Sequence, residues 1–168
     1  MKRLFPTTLV AAVLLACAGQ EMTNDAAATA AAAPDTAALR VELAATIDAY
    51  RVAALAGDAA ALNALYTDDA TVEITAVPTL TGRAAIMSAD SANFAAGKPT
   101  EWSATVRSLV PIGGGAVAQT GSWSDGTPAA GGKMVRRVGR WISSSQKGDD
   151  GKWRINYLMA MIDSTTTK

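Results

Sequence analysis

The chain of 168 residues contains no histidine and a single cysteine, Cys17. Without histidine there is no Ser-His-Asp or Cys-His nucleophile pair, no imidazole ligand for zinc or iron, and no imidazole proton shuttle near neutral pH. One cysteine excludes an internal disulfide and any multi-thiolate metal site. Aromatic residues amount to only 5%, and neither sign of charge dominates, with 15 Lys+Arg against 15 Asp+Glu. That balance gives no electrostatic basis for binding nucleic acid, and none is expected as a partner. Carboxylate, tyrosine, lysine or arginine chemistry remains, and no metal or cofactor is called for. What is abundant is alanine, 37 residues of it, which inflates an apolar share of 49% while burying little area per residue. The length fits one domain of ordinary size.

The first residues read as an address. Met1-Lys2-Arg3 gives a cationic start, and the apolar run from Leu4 to Ala16 is broken only by Pro6, Thr7 and Thr8. A membrane span needs about 20 apolar residues, so this run fits a signal peptide better. It ends in Leu14-Leu15-Ala16-Cys17, which resembles the bacterial lipobox, whose cysteine receives a lipid and becomes the new N-terminus. Residues 1–17 are therefore expected to be a lipoprotein signal peptide, with Cys17 the lipid attachment site. The implied partner is a membrane, and the implied location is the cell envelope. Ala18 after the cysteine favours an outer-membrane lipoprotein facing the periplasm. Residues 18–36 carry no large apolar side chain except Met22 and are expected to form a flexible Ala-rich tether. Loss of Lys2 and Arg3 with the signal would leave 13 basic and 15 acidic groups.

Residues 37–163 are expected to fold, and 164–168 to form a disordered tail. Leu39, Leu43, Ile47, Tyr50 and Ala54 recur at helical spacing, with Asp35 or Thr36 as N-cap and Gly57 as the stop. Asp58 opens a second short helix, Thr71–Thr75 has strand character, and Ile86, Asp90 and Phe94 fall four apart on a third helix after Gly82. Four strand-like runs follow: Glu101 to Val110, Ala116 to Trp123, Lys133 to Ser145 and Lys152 to Ile162. Gly113-Gly114-Gly115, Asp125-Gly126 and Asp149-Asp150-Gly151 are expected turns between them. Helices followed by an antiparallel meander make an α+β fold.

The stretch from Tyr50 to Glu73, with Gly57-Asp58 and Asp68-Asp69-Ala70, resembles the opening of SnoaL-like domains. So do Thr81-Gly82-Arg83-Ala84-Ala85-Ile86 and the closing Gly151-Lys152-Trp153-Arg154-Ile155. These domains belong to the nuclear transport factor two-like superfamily, alongside ketosteroid isomerase and scytalone dehydratase. The resemblance implies a curved antiparallel sheet forming a cone, with about three helices packed on its concave face and a pocket inside. Each motif residue also has a backbone reason: Gly57 as helix stop, Asp58 as cap, and Asp68-Asp69 as the turn into the first strand.

Position by position, the isomerase mechanism is only partly matched. Tyr50 aligns with the tyrosine that stabilises the oxyanion in ketosteroid isomerases. The general base would stand at Ile74, and an alkyl group cannot abstract a proton. Glu73, one residue earlier, should point to the opposite face. The later acid would fall near Lys133 to Arg137, where no carboxylate stands.

The last two strands hold seven basic residues against Asp149 and Asp150, while residues 35–101 carry nine acids against four bases. Either the basic face pairs with neighbouring acids, or Arg136 and Arg140 enter the pocket as a clamp for an anionic ligand. One tryptophan lies on each late strand: Trp102, Trp123, Trp141 and Trp153. Trp102 should share a face with Ala104, Val106 and Val110, and Trp153 with Ile155, Tyr157, Met159 and Met161. The expected pocket lining is Tyr50, Ile74, Trp102, Arg136, Arg140 and Tyr157. The resemblance also implies a homodimer through the sheet face. Two functions follow. The first is non-enzymatic binding of a small apolar or anionic ligand or a partner protein. The alternative is a divergent isomerase, cyclase or hydrolase using Tyr50 and a carboxylate such as Asp48 or Asp90.

Overall fold

The stripe from Leu39 to Ala54 folds as helix α1, Thr36–Ala56, in the computed structural model, which describes residues 36–168. Cys17, the signal segment and the tether up to residue 35 lie outside the described residues; Thr36, assigned to the tether, is the first helical residue. Leu43 and Ala54 are buried along the stripe. The helix ends where Gly57 takes φ 70°, a left-handed conformation that costs a residue with a Cβ. The Gly57 and Asp58 amides bond back to the Ala54 and Ala53 carbonyls. Asp58 caps α2 (Ala59–Asn63), its Oδ1 accepting from the Ala61 amide at 2.9 Å.

The chain continues through β1 (Tyr66–Ile74), the short β2 (Leu80–Thr81), α3 (Arg83–Ala96), β3 (Glu101–Gly113), β4 (Ala116–Pro128), β5 (Met134–Lys147) and β6 (Trp153–Thr167). The six strands form one sheet in the order β2-β1-β6-β5-β4-β3. The last four make the expected antiparallel meander. One pairing departs from it: β1 lies parallel to β6, joined by the long path through β2, α3, β3, β4 and β5.

Three boundary expectations change. Asp125-Gly126 is no turn; both residues pair within β4, and the chain reverses at Ala130–Gly132. Asp68-Asp69 lies inside β1 rather than before it, with Asp68 Oδ1 accepting from Arg83 Nη1 at 2.9 Å. Residues 164–167 are strand, because Ser164 to Thr167 pair with Val138 to Val135 and the Met134 amide bonds to the Lys168 carbonyl. A ladder partner supplies what the polar side chains cannot.

Bulges reset the alternation of faces. Arg107 is an extra residue between Val106 and Ser108, so Leu109 turns inward and Val110 is 52% exposed. Asn156 does the same on β6, and Asp163 bulges opposite Val138 and Gly139.

Two apolar clusters hold the helices on the sheet. Ala53, Leu62, Tyr66, Ala70, Val72, Ile86 and Ile155 join all three helices to β1 and β6. Leu43, Leu109 and Val117, with Leu39 and Trp153 against them, seal one end. Full burial of a Leu or Val contributes about 1.5–3 kcal/mol, which fastens the start of α1 to β3 and β4. Glu42 Oε2 reinforces it by accepting from Lys147 Nζ and Trp153 Nε1, each at 2.7 Å.

Candidate functional site: an aromatic cone

Between the helices and the concave face of the sheet lies a cavity of about 700 Å³. Its closed end is the Leu43 cluster. Its opening lies where lining residues become exposed, at Val77 after β1 and at Asn93, Ala96 and Gly97 on and after α3.

The floor is built from reciprocal pairs. Trp123 on β4 stands opposite Gly139 on β5, and Gly121 on β4 stands opposite Trp141 on β5. A Cβ on Gly139 would meet the Met161 carbonyl oxygen and, at 2.8 Å, Trp123 Nε1; one on Gly121 would meet the Thr105 carbonyl oxygen and, at 2.7 Å, the Trp141 ring. Both glycines sit beside bulges, so close approach of neighbouring backbone bends the sheet there. The indole N–H groups are spent on strand carbonyls: Trp123 donates to Arg140 at 3.3 Å and Trp141 to Ser122 at 3.2 Å. What the rings offer the cavity is their faces.

Of the predicted lining, Tyr50, Ile74 and Trp102 are present. Tyr50 stacks on Trp102 with centroids 5.1 Å apart and planes at 28°. Arg136, Arg140 and Tyr157 are not. Arg136 and Arg140 share a face, as period two requires, but it is the outer one, because Arg137, Trp141 and Ser143 occupy the inner positions of β5. There Arg136 pairs with Glu101 and Arg140 with Asp163. Tyr157 is turned outward by the Asn156 bulge, together with Met159 and Met161, while Leu158, Ala160 and Ile162 line the cavity. Glu73, opposite Met159 in the parallel ladder, lies on that outer face as expected, and burial, then this neighbouring carboxylate, pushes the Tyr157 hydroxyl up.

The polar groups inside are few. Burial raises Tyr50 to about 12 and Tyr66 well above its ordinary value, and the nearby Asp90 charge adds to both. Asp90 comes from α3, one turn before Phe94. Its Oδ2 is shut off from solvent and has no hydrogen-bond partner. Burial alone raises this carboxyl to about 6. Nearby, Arg137 Nε donates to Asp125 Oδ1 at 3.0 Å and Nη2 to Oδ2, while the guanidinium lies over the Trp123 ring at 5.9 Å. Asp48, the other carboxylate considered for chemistry, sits on the exposed side of α1 and pairs with Arg51. Among the described residues no group of three or more Asp, Glu, Cys or His is placed to hold a metal.

A model of the SnoaL-like domain matches residues 35–158. The chain belongs to the SnoaL-like domain family. No curated protein matches it by sequence. Solved structures do match in fold. A ketosteroid isomerase-like protein from Erwinia carotovora atroseptica superposes with TM-score 0.65 at 17% identity, over 74% of this chain and 95% of that one. A hexachlorocyclohexane dehydrochlorinase from Novosphingobium barchaimii gives 0.65 at 13%, over 79% and 92%. A conserved protein from Planctomyces limnophilus gives 0.69 at 17%, over 77% and 99%. At such identities the SnoaL-like fold is what is shared. Within it, Asp125, Arg137 and Tyr66 are the site residues that sequence reading missed. The alternation of Arg137 with Gly139, Trp141 and Ser143 was the available signal, and the turn-like Asp125-Gly126 hid its partner.

Proposed function

We propose that this protein holds a small, mainly apolar molecule in the cone of its SnoaL-like domain, within the cell envelope and facing the periplasm, where Cys17 tethers it to the membrane through lipid. The observation that carries the binding reading is the aromatic floor, with its indole N–H groups already committed and some 700 Å³ of space above it. Ile74 lines that space, so the position of the isomerase-type base is occupied by an alkyl group. Native mass spectrometry of the gently purified protein is the test: a bound species released by unfolding is expected, and an empty cone from several growth conditions would overturn the reading. For the anchor, labelling with an alkyne fatty acid should mark the wild type and not Cys17→Ser; equal labelling would refute it.

A second reading is favoured by one observation: the Asp90 carboxyl, without a partner and raised to about 6, beside Tyr50. A carboxylate so placed is suited to move a proton to or from a bound molecule. Exchange of solvent deuterium into the molecule recovered from the cone, lost in Asp90→Asn, would favour it. The exposed Val138 and Ile142 on the outer sheet face support pairing with a second copy, to be checked by sedimentation.

A further inference from the structure

The charges around the cone do not cancel. Arg137 is the one basic side chain among the lining residues, and it is already engaged through two donors by Asp125. Asp90 lines the same space, and its carboxylate has no ion pair and no hydrogen-bond donor among the described residues. The cavity therefore carries one negative charge in excess whenever Asp90 is ionised. Tyr50, Phe94, Trp102, Trp123 and Trp141 add their rings to the same lining. Aromatic faces attract cations, and this lining already holds one in that way, the Arg137 guanidinium over Trp123. An anion would meet the opposite conditions. The two arginines expected to clamp one, Arg136 and Arg140, are turned to the outer face and paired there.

We propose that the cone selects an organic cation: a flat apolar body bearing a protonated amine, whose ammonium group pairs with the Asp90 carboxylate while its body lies against the aromatic rings. This rests on the reading of the cone as a small-molecule site. It adds the charge of the ligand and the residue that reads it. The ammonium would supply the Asp90 carboxylate with the donor it lacks. Tyr50 and Tyr66, both raised by burial, stay neutral, so neither competes for the cation as a charge.

Three molecules of one shape separate the possibilities: 2-naphthylmethylamine, 2-naphthylmethanol and 2-naphthoate, titrated calorimetrically into the protein at pH 7.5. The amine should bind roughly tenfold or more tightly than the alcohol, and the carboxylate most weakly. In Asp90→Asn the ratio of amine to alcohol affinity should fall to about one, whereas Asp90→Glu should keep a preference for the amine. Equal binding of amine and alcohol by the wild type, strongest binding of the carboxylate, or a preference that survives Asp90→Asn would each overturn the proposal. The wild-type series decides even if the Asn variant fails to fold. Binding of the alcohol without preference sinks only the cation, whereas failure of all three molecules to bind removes the small-molecule site along with it.

Discussion

Trp123 lies across Gly139 of the neighbouring strand, its ring edge where a side chain on that glycine would begin. Trp141 and Gly121 repeat the arrangement with the strands exchanged. Each indole fits because a glycine faces it, and each glycine lets the backbone beyond it close in. Gly121→Ala and Gly139→Ala should each destabilise the domain by more than about 3 kcal/mol, measured by urea unfolding. Removing the ring should not rescue them: Gly139→Ala with Trp123→Ala keeps the collision with the Met161 carbonyl. Gly114→Ala, with open space around it but φ 59°, should cost only about 1 kcal/mol. Equal costs at all three sites would contradict this account of the floor.

Asp90 should make the folded state sensitive to pH. Its carboxyl binds a proton more tightly folded than unfolded, with its value raised from 3.8 to about 6. The stability this contributes is fully present below pH 4 and is lost as pH rises through about 6. The difference amounts to about 2–3 kcal/mol. Asp90→Asn should therefore melt several degrees higher than wild type at pH 8, with the gap narrowing below pH 5. A gap that widens on acidification would show the sign to be wrong.

The Asp125–Arg137 pair should respond unequally to the loss of either member. The Asp125 side chain is 7% exposed and that of Arg137 41%. Arg137→Ala strands a buried carboxylate, at a cost of about 2–4 kcal/mol, less than for a fully enclosed pair because water reaches the guanidinium. Asp125→Ala leaves an arginine that can hydrate, and should cost less. Chemical denaturation of the two variants side by side settles the order.

Amide exchange tests the end of the chain. Residues 165–167 should be protected wherever their N–H groups enter the ladder with β5, and a chain ending at Asp163 should be less stable than the full one. Free exchange at all of these amides would restore the disordered tail.

The sequence made the helical faces readable because their period survives tertiary packing. Leu43, Tyr50 and Ala54, and likewise Ile86, Asp90 and Phe94, stand where their spacing put them. The strands were found, yet their faces could be followed only as far as the first bulge. Trp102 and Ala104 line the cavity as expected, and Val110 fails because Arg107 intervenes. Tyr157, Met159 and Met161 fail together, and the single cause is Asn156. Neither bulged residue is a glycine or proline, so nothing local announces the extra position. The Arg136 and Arg140 pair shows a different limit: alternation says which residues share a face but not which face is inside. Counting acids against bases separated the two outcomes poorly, since the partners Glu101 and Asp163 are contributed by other strands.

The cone has a closed end and an open one, and α1 begins at the closed end. Leu39, Glu42 and Leu43 in the first turns of α1 are fastened to Leu109, Val117, Lys147 and Trp153, whereas the opening lies past Ile74 and Ala96 at the other end of the sheet. A bead, sensor chip or fusion partner attached at the start of α1 accordingly meets the base of the domain, the end away from the entrance. A C-terminal attachment does not have this property, since Lys168 bonds to Met134 beside Val135, which lines the cavity. The two ends of this chain are thus unequal handles, and ligand screens should be mounted on the first.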